Sequence, residues 1–143
     1  GKAMASIGGY LICHPIIRDY LINCMRPLIF STAQPPICMA WTDFIFKKVL
    51  NFNTERQHLQ QMSQTLQQAV QAKGFDCPST SHIVPVIVGE SKKTVETAQL
   101  LQDAGFYIMP VRPPTVPQNS ARLRISLTAQ INQIEIDQLI KLL

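Results

Sequence analysis

Residues 121–129, ARLRISLTA, alternate side chain by side chain. In an extended chain, Leu123, Ile125 and Leu127 fall on one face, and Arg122, Arg124, Ser126 and Thr128 on the other. A period of two fits no helix. It demands a sheet with one face on a core and the other open. The stretch NTERQHLQQMSQTLQQAVQAKG, residues 53–74, supplies a helix that can cover the apolar face. Its Leu59, Met62, Leu66, Ala69 and Val70 recur at helical spacing. Thr54 and Gln57 fit a capping box, and Lys73 followed by Gly74 reads as the end. The Gln-rich opposite face reads as solvated.

The segments between these two follow the same logic. Residues 81–90 read as a strand, with Pro85 marking an edge position. Residues 91–105 read as a helix closed by Gly105, and 106–111 as a further strand. A last helix starts near Asn132, with Glu135 completing its cap and Ile136, Leu139, Ile140 and Leu143 facing a core. The order from 81 to 143 is therefore β-α-β-β-α, an α+β unit with a small, mostly antiparallel sheet. Upstream, 4–13 read as a strand, 15–25 as a helix opened by Pro15, 26–36 as loop or extended, and 37–51 as helical. Residues 1–50 do not close into a fold of their own. The expected division is 1–50, the end of a larger domain, and 51–143, a small domain.

Charge and cysteine usage exclude several classes. The net charge of +4 is mild and scattered, and the 121–129 strand has no aromatic residue for base stacking, so nucleic acid is not an expected partner. No apolar run reaches the roughly 18 residues of a membrane span. The start, GKAMASIGGYLICHP, mimics a signal peptide only loosely, since two glycines interrupt its apolar run. Cys13, Cys24, Cys38 and Cys77 form no Cys-x-x-Cys pair, so no metal site is expected. They read as reduced thiols, which points to a cytoplasmic setting. His14, His58 and His82 lack partners at triad or ligand spacing, and IGGY is no phosphate loop.

A few residues remain as candidates for chemistry. Arg112 precedes Pro113 and Pro114, which stiffen its loop, and Arg124 stands on the polar face of the following strand. A guanidinium there suits a carboxylate or phosphate. Spacing alone leaves these as surface arginines. Lys2 matters only if it lies near an electrophile, where an amine acts as a nucleophile. Ser31 and Thr32 place adjacent hydroxyls before Pro35 and Pro36; they suit a phosphate or simply cap a turn.

Taken in order, GKAMASIGGYLICHP, RPLIFSTAQPP, IVPVIVGE and RPPTVPQNSARLRISLTA resemble the α-oxoamine synthases, pyridoxal 5'-phosphate enzymes of fold type I. The Pro-Pro-Thr-Val-Pro loop resembles the biotin-pathway branch, which condenses L-alanine with pimeloyl-CoA or pimeloyl-carrier protein and releases carbon dioxide. The resemblance implies an α/β fold overall, of which this chain is the end of the large cofactor-binding domain plus the small C-terminal α+β domain. It implies a homodimer in the full-length enzyme, with no membrane partner. Lys2 corresponds to the lysine that forms the internal aldimine and then moves the α-proton. Ser31 and Thr32 correspond to the hydroxyl loop reaching the cofactor phosphate of the neighbouring subunit. Arg124 corresponds to the arginine pairing with the amino-acid carboxylate, and Arg112 and Thr115 to the loop lining the substrate site. The residues that stack on the cofactor ring and pair with its nitrogen are expected outside this chain, so the isolated fragment is expected to be inactive or nearly so. Two alternatives stay open: another α-oxoamine synthase forming aminolevulinate, 2-amino-3-oxobutyrate or a ketosphingoid base, and a stand-alone α+β ligand-binding module.

Overall fold

The computed structural model describes residues 1–2 and 4–143. They divide into two compact units, Gly1–Phe52 and Asn53–Leu143.

The first unit is helical. Its α1 runs Pro15–Cys24, α2 Arg26–Ile29 and α3 Pro36–Val49. Each has proline in its first turn, where the missing N–H is no loss. His14 caps α1, its Nδ1 accepting from the Ile16 N–H at 3.3 Å. Residues 4–13, expected as a strand, are not one: they pair with no strand, and the segment is irregular, with a turn at Met4. A strand requires a neighbour for its backbone groups, and no other segment among the described residues 1–52 is extended and paired. The expected loop at 26–36 instead contains the single-turn α2. None of the three helices buries a residue, and Tyr10 and Ile12 are each 87% exposed.

The second unit has a core of its own. The helix α4 spans Asn53–Ala72, followed by β1 (Ile83–Gly89), α5 (Ser91–Asp103), β2 (Met109–Val111), β3 (Ala121–Ser126) and α6 (Gln133–Leu142). The sheet is antiparallel in the order β1-β3-β2, so Pro85 does lie on an edge strand. The helix α4 begins at Asn53, which places Thr54 inside its first turn and not at the expected cap. The strand expected over 106–111 is ordered as such only from Met109.

Two helices end by the same device. Gly74 takes φ 85° and Gly105 φ 92°, a region that glycine enters without Cβ strain. The next residue then turns its N–H back, Phe75 to the Val70 carbonyl at 3.2 Å and Phe106 to that of Leu101 at 2.9 Å. The start of α6 is a full capping box: Asn132 Oδ1 accepts from Glu135 N–H at 3.0 Å, and Glu135 Oε2 accepts from Asn132 N–H at 2.9 Å.

These elements gather on one face of the sheet. Met62, Leu66 and Val70 of α4, Ala98 and Leu101 of α5, and Ile136 and Leu139 of α6 form one cluster with Val84, Val86, Leu123 and Ile125. The alternation at 121–127 is as expected: the odd-numbered residues are buried, while Arg122 is half-buried and Arg124 and Ser126 are exposed.

Candidate functional site

The open face of the sheet follows from that alternation. Arg124 lies between Pro85 on β1 and Met109 on β2; Arg122 lies between Ile87 and Val111. Both arginines therefore rise from a floor of apolar side chains. A guanidinium offers a planar fork that suits a carboxylate or phosphate. Arg124 has no ion-pair or hydrogen-bond partner among the described residues. Arg122 is tied down instead: its Nε donates to the Ser120 carbonyl at 3.0 Å.

Beyond β2 the chain turns at once. The Thr115 N–H donates to the Arg112 carbonyl at 3.0 Å, closing a turn across a cis peptide between Pro113 and Pro114. Arg112 and Thr115 thus stand at the two ends of one turn, both exposed. Val111 pairs with Arg122, so this turn lies at the Arg122 end of the sheet and Arg124 two residues further in. The second unit thus places Arg122 and Arg124 on the open face of the sheet and the Arg112–Thr115 turn just beyond the end of β2, and among the described residues none of the three arginines forms an ion pair.

The first unit holds the other candidates. Ser31 and Thr32 are exposed and line a hollow of about 720 Å³ together with Tyr10, Arg18 and Gln34. Ser31 Oγ donates to the Leu28 carbonyl at 3.4 Å, a weak bond that leaves the oxygen lone pairs open. A second hollow of about 440 Å³ adjoins it along Gly9, Tyr10 and Gln34. Lys2 lines neither hollow; it stands exposed at the head of a turn in which its carbonyl accepts from the Ala5 N–H at 2.9 Å. The structure thus places Lys2 and the hydroxyl loop in one unit but not in one cavity.

What seats this segment was not legible in the sequence. The indole Nε1 of Trp41, on α3, donates to the Ala5 carbonyl at 2.9 Å. Ser6 Oγ and Thr42 Oγ1 are 2.7 Å apart. A Cβ at Gly8, whose φ is 110°, would come within 2.0 Å of Gln34 Nε2, so the backbone there lies directly on that amide. The contacts span some thirty residues of sequence, and no local pattern announces them.

The donor set suits pyridoxal phosphate. In the first unit the Lys2 amine, with no ion-pair partner among the described residues, suits an aldehyde and the Ser31 and Thr32 hydroxyls suit a phosphate, while Arg18 beside them is paired with Asp19 at 2.7 Å; in the second unit the Arg124 guanidinium, likewise without an ion-pair partner among the described residues, suits a carboxylate. Among the described residues no group of His, Cys, Asp and Glu could hold a metal ion, and no helix is long and apolar enough to cross a membrane.

The sequence matches the aminotransferase class I and II family over residues 1–143. It is 52% identical to the 8-amino-7-oxononanoate synthase of Haemophilus ducreyi, over 98% of this chain and 36% of that protein. Among solved structures, Sphingomonas wittichii serine palmitoyltransferase superposes with a TM-score of 0.86 at 26% identity, over 97% of this chain and 36% of that one. The 8-amino-7-oxononanoate synthase of Francisella tularensis superposes with a TM-score of 0.78 at 25% identity, over 90% and 38%. The chain therefore spans little more than a third of the relatives it matches, and the expected fold, helices with a small antiparallel sheet in the manner of these transferases, is the one observed.

Proposed function

Because this chain belongs to the class I and II aminotransferase family, we propose that it forms part of a pyridoxal-phosphate-dependent 8-amino-7-oxononanoate synthase. Residues 1–50 are the end of its large cofactor-binding domain and 51–143 its small domain. The reaction condenses L-alanine with a pimeloyl thioester, with loss of carbon dioxide and release of the thiol, in the cytoplasm and in a homodimer. The observation that carries this reading is the 52% identity with a relative of that name along 98% of the chain.

When bound, pyridoxal phosphate supplies an electron sink for charge developing at the α-carbon of the amino acid. The Lys2 amine holds the aldehyde and, once released, moves the proton at that α-carbon. The Ser31 and Thr32 hydroxyls donate to the phosphate. Arg124 grips the alanine carboxylate, and its apolar flanks, Pro85 and Met109, limit its swing. The Arg112–Thr115 turn lines the acyl side, with Arg112 within reach of the far carboxylate of a pimeloyl chain. The 143 residues on their own are inactive or nearly so, since the helices that carry the cofactor loop bury no residue with which to hold it rigid.

A second reading, condensation of L-serine with a long-chain acyl thioester, draws on the superposition with serine palmitoyltransferase. The two separate in one assay. The full-length enzyme is given alanine or serine with pimeloyl or palmitoyl thioesters, and carbon dioxide and the amino ketone are measured. Turnover with alanine and the pimeloyl thioester, weakened chiefly in the alanine KM by Arg124→Ala, is expected. Turnover with serine and the palmitoyl thioester alone would establish the second reading, and none with either pair would remove both.

A further inference from the structure

We propose that Trp41 is a positioning residue for Lys2, acting through the backbone of the turn that carries it. The inference rests on the role proposed for Lys2. Ala5 is the pivot. It takes φ 45°, in the left-handed region that a residue with a Cβ enters only at a cost in energy. Its N–H closes the turn on the Lys2 carbonyl at 2.9 Å, and its own carbonyl receives the Trp41 Nε1–H at 2.9 Å. An indole N–H can only donate, so this bond has one sense and one partner. Lys2 lies three residues from Ala5, at most about 11 Å of chain, and the closed turn shortens that reach.

The next residue is seated on the next position of the same helix. Thr42 has a single hydroxyl proton and donates it to the Cys38 carbonyl at 2.7 Å. Ser6 Oγ lies 2.7 Å from Thr42 Oγ1 and 3.5 Å from the same Cys38 carbonyl, so the two hydroxyls and that carbonyl form one cluster. Gly8 rests against Gln34 two residues further on. The turn is thus held along 34–42 at three points, while the Lys2 amine has no hydrogen-bond or ion-pair partner among the described residues. The Trp41 ring leans on Phe44 with centroids 5.7 Å apart, and its N–H edge is aimed at Ala5. Loosening this clamp lets the amine wander, and a misplacement of about 1 Å at a reacting group is enough to cost on the order of a hundredfold in rate.

Trp41→Phe removes the donor and keeps the ring on Phe44. Borohydride reduction of the holoenzyme fixes pyridoxal phosphate to whichever amine holds it, and peptide mass spectrometry reads the fraction at each lysine. Exposed Lys73 and Lys141 serve as internal references. The expected result is a fall of about tenfold or more in labelling at Lys2, with the references unchanged. Thr42→Val should lower Lys2 labelling in the same way, and Thr42→Ser, which keeps the hydroxyl, should restore it. This pair also decides the matter if Trp41→Phe does not fold by circular dichroism. Equal labelling of Lys2 in the wild type and the donor-free variants overturns the positioning role and leaves that of Lys2 standing. A wild type labelled at Lys2 no more than at Lys73 or Lys141 overturns the role of Lys2, and the positioning with it.

Discussion

Adjacent residues of β3 should fail in opposite ways when truncated. Leu123 is fully buried in the central strand, opposite Val86 and Pro110, and belongs to the core cluster. Cutting such a leucine to alanine loses its transfer energy and leaves a cavity that the sheet backbone closes poorly, about 3–4 kcal/mol in all. A unit of roughly 90 residues has about 5–13 kcal/mol to lose. Leu123→Ala should therefore lower its thermal midpoint by roughly 15–25 °C. Arg124, one residue on, is exposed and has no partner among the described residues, so Arg124→Ala should shift stability by no more than about 0.5 kcal/mol. Urea unfolding followed by far-ultraviolet circular dichroism measures both. The opposite outcome is a loss under about 1 kcal/mol for Leu123→Ala, or a loss for Arg124→Ala as large as its neighbour's. Either result would mean that β3 does not separate a core face from a working face.

Three further outcomes are expected. Asn132→Ala removes the side-chain half of the α6 capping box, the bond that Glu135 N–H donates to Oδ1, and should lose about 1 kcal/mol in the same unfolding experiment, most of it recovered by Asn132→Asp. Gly105→Ala meets no atom within 4 Å, so the loss of about 1 kcal/mol expected there comes from φ 92° alone, and Gly105→Asn should lose less. Burial, aided by the nearby Asp76 charge and partly offset by a backbone hydrogen bond at Ser79, pushes the Cys77 thiol pKa up. A thiol-exchange reagent should therefore modify exposed Cys24 first and Cys77 last. A thiol held neutral by the fold stabilises it fully below the pKa of the unfolded thiol, about 8.5, and that stability declines as pH rises above it. Cys77→Ala should flatten the alkaline limb of the stability profile.

Much of Asn53–Leu143 was legible in the sequence, because its signals are periodic and local. The alternation at 121–127, the apolar stripe of α4, the glycines at 74 and 105 and the Asn132–Glu135 cap each act within a few residues, and each element stands where its pattern places it. The exceptions are short-range as well: α4 starts at Asn53, which moves Thr54 off the cap, and the strand sought over 106–111 keeps only its last three residues. For residues 4–13 the apolar, β-prone composition suggested a strand, and the segment is irregular instead. Strand formation depends on a partner that composition cannot show.

The candidate residues divide along the same line. The resemblance of the collinear motifs marked Lys2, Ser31, Thr32, Arg112, Thr115 and Arg124, whose amine, hydroxyl and guanidinium chemistry is carried by the side chain itself. Only the tertiary structure set Arg124 between Pro85 and Met109, tied Arg122 back to Ser120, and left Lys2 outside the hollow that Ser31 and Thr32 line. Only it could show that a tryptophan 36 positions away reaches the turn behind Lys2. Side-chain chemistry is written one residue at a time, but a hydrogen bond across 36 residues exists only once the chain has brought its two ends within 3 Å.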